Sequence, residues 1–169
     1  MLKTLLKKKK TAILKRWFSR ISKTYPPDGA KFFFQEQNRF ANPVGSTINH
    51  EIGNIFDNLI GKPDWDEIYQ SCENINKIRA VQDFSASEAV AFMFFLKTAI
   101  LEELTEQKSD EKIFREFLEL ESDIDRIALT AFDSYSRCRE KIYNLKYAQL
   151  KSNAGIMAIR NINEQNGNK

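Results

Sequence analysis

His50 is the only histidine among 169 residues, so any histidine-based proton transfer or haem ligation must use it. At 100° per residue it sits about 200° around a helix from Ile48, away from the apolar positions Val44, Ile48, Ile52, Ile55, Phe56 and Leu59. That spacing predicts a solvent-facing ring and disfavours haem, whose ligand must face a pocket. Cys72 and Cys138 are far apart, show no CxxC or Cys/His spacing, and fall on apolar stripes. They are expected to be buried, inert thiols rather than a disulfide, a metal site or a redox sensor. Glu119, Glu121, Asp123 and Asp125 lie at helix starts and on solvent faces, and no helix carries the Glu-x-x-His pair of di-iron bundles. There is no GxxxxGK[ST] phosphate loop, GxSxG elbow or HExxH pair. The residues therefore predict no catalytic group, no metal and no cofactor.

Arg79 offers a different chemistry. It continues the stripe Trp65, Ile68, Tyr69, Cys72 and Ile75, so its guanidinium is expected to be partly buried at a helix end. A buried arginine needs a partner. It caps neighbouring carbonyls or pairs with Asp83, or else it holds an anionic ligand beside Gln82 and Lys97. Just beyond it, Ala89 to Leu96 are apolar on every side of a helix, the mark of an element contacted from several directions. Arg79, Gln82, Phe92, Phe95 and Lys97 form the candidate ligand pocket; the competing reading is a filled core built from the same residues.

The elements that must position these groups are helices. Leu2, Leu5, Leu6, Ile13, Trp17 and Ile21 predict an amphipathic helix over 2–23, expected to fray where Lys7 to Lys10 go all the way round one turn. Pro26, Pro27 and Gly29 break it. Phe32 to Phe34 and Phe40 then suggest a short turn or loop anchored on the core. Asn42–Pro43 is a helix start, Gly61–Lys62–Pro63 an end, and Asp64 with Glu67 and Ser85 with Glu88 read as capping boxes. "EQKSDEK" marks a further break. From Glu111 a 3.6-residue pattern runs through Leu120, Ile124, Ile127, Ala131, Tyr135, Cys138, Ile142 and Leu145 without Gly or Pro. Asp123 to Leu150 alone would span about 42 Å. Asn153–Ala154–Gly155 reads as its stop. The expectation is one all-α domain over 1–152 with a long C-terminal helix, and a loose tail over 153–169.

Charge is unevenly spread. Residues 1–23 hold nine Lys or Arg and no acid, whereas the remainder carries a net −6. The basic segment is expected to be a solvated helix face; its sharper use is contact with an anionic surface through Lys7, Lys8, Lys9, Lys10 and Arg16. A nucleic-acid partner is disfavoured, because the aromatics follow core stripes instead of interleaving with the basic residues. The longest uncharged apolar run, Ala89 to Leu96, is far short of the roughly 20 residues that span a bilayer. No signal peptide is visible, so a cytoplasmic location is expected, with peripheral contact at the inner face of the membrane as the variant.

"ILKRWFSRISKTYP", "NRFANPVGSTI", "IRAVQDFSASEAVAFMFFLK" and "IDRIALTAFDSYSRCREKIYNLK" follow one another in this order. Together, from about Ile13 to Lys151, they resemble the N-terminal domain of the RsbT co-antagonist (RsbR-type) proteins, the sensor subunits of the stressosome. The resemblance implies a globin-like all-helical fold without haem, usually dimeric, that acts as a signal-input module before a phosphorylatable output domain. The chain ends at Lys169 without room for that output domain, so kinase antagonism is not carried over, and Ala86 stands where similar sequences often have Pro. The expected function is thus a non-enzymatic regulatory adaptor, acting through protein contacts and homodimerisation, with a small ligand as a further option. Tyr135, Cys138, Ile142 and Leu145 are the candidate dimer or partner face. The alternative function is docking on a membrane or other anionic surface through the Lys-rich first helix.

Overall fold

The computed structural model describes residues 1–26, 42–106 and 111–167, with side chains as far as Met157. The described residues form five helices and no strand: α1 Leu2–Ser22, α2 Pro43–Ile60, α3 Trp65–Val81, α4 Ala86–Glu106 and α5 Glu111–Gly167. The expected Phe32–Phe34 and Phe40 anchor lies outside the described residues, as do 107–110 of the "EQKSDEK" break, on either side of which α4 ends at Glu106 and α5 begins at Glu111.

Each helix begins where its chemistry allows. Asn42 accepts a hydrogen bond from the Gly45 amide at 2.9 Å, and Pro43 occupies the first helical position, where its missing N–H costs nothing. Asp64 Oδ1 accepts from the amides of Asp66 and Glu67. The expected box at this site is only half formed, because the Asp64 N–H donates instead to Asn58 Oδ1 and the Glu67 carboxylate is taken by Asn58 Nδ2. At α4 the box is complete: the Glu88 N–H donates to Ser85 Oγ, and the Ser85 N–H donates to the Glu88 carboxylate. Lys7 to Lys10 do not interrupt α1, which is continuous. Asn153–Ala154–Gly155 does not end α5. A helical glycine costs only about 1 kcal/mol, and no proline follows to remove the next donor. At 57 residues α5 is about 85 Å long.

The helices close a ring. α5 packs on α3 and α4, α3 on α2, α2 on α1, and α1 back on α4. One apolar core fills the ring, with Ile13 and Trp17 from α1, Ile52 and Phe56 from α2, Ile75 from α3, Phe92 and Leu96 from α4, and Ile124 and Ile127 from α5. The Trp17 ring stacks on Phe92 at 6.4 Å, and its Nε1–H donates to the Phe92 carbonyl at 2.6 Å. The molecule is all-α with a long C-terminal helix, consistent with a globin-like domain.

Candidate functional site

Of the candidate pocket residues, the structure brings Arg79 against Phe92. Arg79 is fully buried. Its guanidinium donates to the carbonyls of Glu88 (2.8 Å) and Ala89 (3.3 Å) in the first turn of α4 and to Thr24 Oγ1 (3.3 Å) at the end of α1. It lies over the rings of Phe84, Phe92 and Tyr25 at 4.9, 5.6 and 5.7 Å. Burial pulls its pKa below the usual arginine value, opposed by Tyr25 and Glu88. Arg79 is therefore a joint between α1, α3 and α4, and Asp83 belongs to another arginine. Gln82 is exposed at the end of α3, and Phe92 is in the core. Phe95 packs on the core's edge. Lys97 pairs with Asp125 at 2.7 Å and Glu121 at 3.1 Å on α5.

The basic face of α1 is also occupied. Arg16 reaches Glu106 at 2.6 Å, Glu103 at 3.4 Å and Glu102 at 3.5 Å on α4, and Lys9 pairs with Glu103 at 3.2 Å. Lys10 pairs with Asp57 of α2 at 2.7 Å. Of the five candidate anion contacts, Lys7 and Lys8 stay exposed. His50 is exposed on α2 as its spacing predicted, within 3.3 Å of the Asn54 amide. Among the described residues, no group of three His, Cys, Asp or Glu is placed to hold a metal ion.

The candidate dimer face divides in two. Tyr135 and Cys138 are buried with Ala80 and Ala89 inside the protomer, and the partly buried Ile142 packs against them. Leu145 is 71% exposed. The Tyr135 hydroxyl donates to the Phe84 carbonyl, and Arg139 donates to Asp83 Oδ1 at 2.8 Å and to the Ala80 carbonyl at 3.0 Å. Asp83 sits at φ 57°, a left-handed turn conformation that Asp tolerates better than most residues. Together these bonds lash the α3–α4 turn onto α5.

The exposed apolar surface lies elsewhere. Ala86, Ser87, Val90, Ala91 and Phe94 of α4 face Ala128, Leu129 and Phe132 of α5 across an open trough of about 730 Å³. Phe94, Leu129 and Phe132 are 49, 69 and 47% exposed. The helix quoted as apolar on all sides thus has two uses, a core side through Phe92, Met93 and Leu96 and an outer side through Val90, Ala91 and Phe94. This face was missed because the inner stripe of α5 is so regular. Leu118, Leu129 and Phe132 fall off that stripe, and their off-phase spacing is the signal that marks them.

The sequence profile described as "RsbT co-antagonist protein rsbRD N-terminal domain" matches residues 11–150, most of the chain. The chain belongs to that family. The match takes in α2, α3 and α4 whole and parts of α1 and α5, including the Arg79 joint, the Ser85–Glu88 box and the trough. No curated protein and no solved structure matches significantly. Membership in the RsbT co-antagonist N-terminal family supports a regulatory, signal-input role within complexes of protein partners. Among the described residues, no helix is long and apolar enough to cross a membrane.

Proposed function

We propose that the chain is a non-enzymatic signal-input module that works as a homodimer joined through the outer face of α4 and α5. The carrying observation is that one patch holds both knobs and holes. Phe94, Leu129 and Phe132 stand out from it, and the small residues Ala86, Ser87, Ala91 and Ala128 line the trough beside them. A two-fold interface needs such self-complementarity, because the same patch must serve on both copies. The trough's volume would suit a small ligand, but Ser87 is its one polar lining residue, and ligand sites need several convergent polar groups. The trough is better matched to protein side chains. For the anionic-surface alternative, Lys3, Lys7, Lys8 and Lys15 are exposed, whereas Lys9, Lys10, Arg16 and Arg20 are paired with acids of the body, which leaves half of that basic set for an external anion.

Light scattering after size exclusion tests the reading. The wild-type chain is expected to elute as a dimer, and Phe132→Asp as a monomer that keeps the helical circular-dichroism spectrum and loses the concentration dependence of the thermal midpoint. A wild-type monomer across the accessible concentration range, or a dimeric Phe132→Asp, overturns it. Ile142→Asp is a poor probe, since Ile142 packs against the buried Tyr135 cluster and its loss would destabilise the fold itself.

A further inference from the structure

Beyond Ile142, α5 leaves the body. Every residue from Tyr143 to Met157 is exposed on a helix that continues to Gly167. Over this stretch Tyr143, Tyr147, Leu150, Ala154 and Met157 recur at alternating spacings of four and three, the seam of a coiled coil rather than the broad apolar stripe of a helix lying on lipid. Tyr147, Leu150 and Met157 are all more than two-thirds exposed, and large apolar side chains in such a row need a cover.

The flanking charges say what kind of cover. Residues 141–157 contain Lys141, Lys146 and Lys151 and no acid. With Tyr147 and Leu150 as the a and d positions, Lys146 and Lys151 are the g and e positions that meet across a parallel, in-register pair. A self-paired seam would bring Lys146 of each copy against Lys151 of the other. An antiparallel self-pair within 141–157 has no acid to offer either. Self-pairing along this seam is thus opposed by charge, although the trough on α4 and α5 is self-complementary. Arg139, stacked on the Tyr143 ring at 5.2 Å, adds another cation at the seam's root.

We infer that Tyr143–Met157 is a docking seam for an amphipathic helix of another protein whose apolar row is flanked by Glu or Asp. The proposal extends the signal-input reading but does not depend on the dimer: the dimer face ends near Phe132, and the seam begins at Tyr143. The geometry also fits an output role, because the last polar ties of α5 to the body, from Tyr135, Arg139 and Lys141 (3.7 Å from Glu73), lie immediately before it.

The test uses the full chain and two synthetic helical peptides with Leu and Ile at a and d, one with Glu at every e and g position and one with Lys there. Fluorescence anisotropy is expected to show binding of the Glu peptide that weakens as salt rises, and a preference of at least about tenfold over the Lys peptide, about 1.4 kcal/mol. Leu150→Asp should abolish that binding with no change in thermal midpoint. Lys146→Glu/Lys151→Glu should reverse the preference. Equal binding of both peptides, binding of neither, or a charge-reversed variant that keeps the original preference overturns the proposal. So does binding of the wild-type chain to phosphatidylserine-containing vesicles that Leu150→Asp and the double reversal remove together, since the seam would then serve a membrane. Phe132→Asp separates the two readings: a monomer that still binds the Glu peptide leaves the seam standing, whichever way the dimer test falls.

Discussion

Arg79 shows what a single buried side chain does in this fold. It has no carboxylate partner among the described residues; three aromatic rings, two carbonyls and a hydroxyl receive it. The carbonyls of Glu88 and Ala89 already accept helical bonds in α4, so removing the guanidinium orphans neither. The packing volume therefore matters more than the charge. Arg79→Ala is expected to cost about 3 kcal/mol in chemical denaturation, as for other large-to-small changes in a core. Arg79→Met, which keeps most of the volume, should cost less than about 1.5 kcal/mol. Equal costs for the two variants would show that the charge itself holds the joint. The burial of Arg79 was legible from its place on the Trp65–Cys72 stripe. So was its capping of neighbouring carbonyls; that these belong to Glu88 and Ala89 was not, because individual backbone oxygens carry no mark in a sequence. The cysteines were legible in full as far as burial goes. Burial, followed by the Glu51 charge, pushes the Cys72 thiol up to about 12, and burial likewise raises Cys138. Alkylation at mildly alkaline pH, read by intact mass, should leave both thiols unmodified in the folded chain and label both after denaturation.

At the scale of elements, the helix starts were the most legible features, because a cap is a local bond between residues three apart. Asn42 and Ser85 behave as their types and spacing require. The Asp64 box failed because Asn58, six residues earlier, competes for the same groups. The false stop at Gly155 has a different cause: nothing packs there to report helix or coil, so a propensity penalty was read as a boundary. Gly155 has open space where a Cβ would lie. Gly155→Ala should therefore stabilise the exposed part of α5 by about 1 kcal/mol, seen as slower amide exchange around residue 155 with no change in the core. Acid should act on the same local bonds. The Ser85 hydroxyl holds Glu88, the Leu2 amide holds Glu116, and Arg139 holds Asp83 below their ordinary values of 4.5, 4.5 and 3.8. A carboxylate depressed in the fold contributes fully above its unfolded value and loses that contribution as pH falls through its folded one. The thermal midpoint is thus expected to be flat above about pH 5 and to fall below about pH 4. Glu116→Gln with Asp83→Asn should flatten that acid limb, and an unchanged limb would assign acid sensitivity to other groups.

At the scale of the whole molecule, the first helix was the element whose purpose the sequence hid. Nine cations in 23 residues look like a surface for an external anion, yet four of them, Lys9, Lys10, Arg16 and Arg20, are paired with acids on α4 and α2 far along the chain. Charge complementarity between distant segments becomes visible only once the ring closes, with α1 between α2 and α4. The apolar side of α1 is committed as well: Leu2 and Leu6 are buried in the core, and Glu116 receives the Met1 amino group and the Leu2 amide. Deleting residues 1–10 would thus withdraw two core leucines, each contributing about 1.5–3 kcal/mol, together with the Lys9 and Lys10 pairs. Against a total stability of about 5–15 kcal/mol, that loss should leave a chain that melts far below the wild type or fails to fold. Lys7→Glu/Lys8→Glu changes the charge by four while touching only exposed positions. It should keep the thermal stability within about 0.5 kcal/mol of the wild type. A large loss in the double reversal, or a deletion that melts like the wild type, would mean that α1 is held otherwise than by its apolar row and its four acid-paired cations Lys9, Lys10, Arg16 and Arg20.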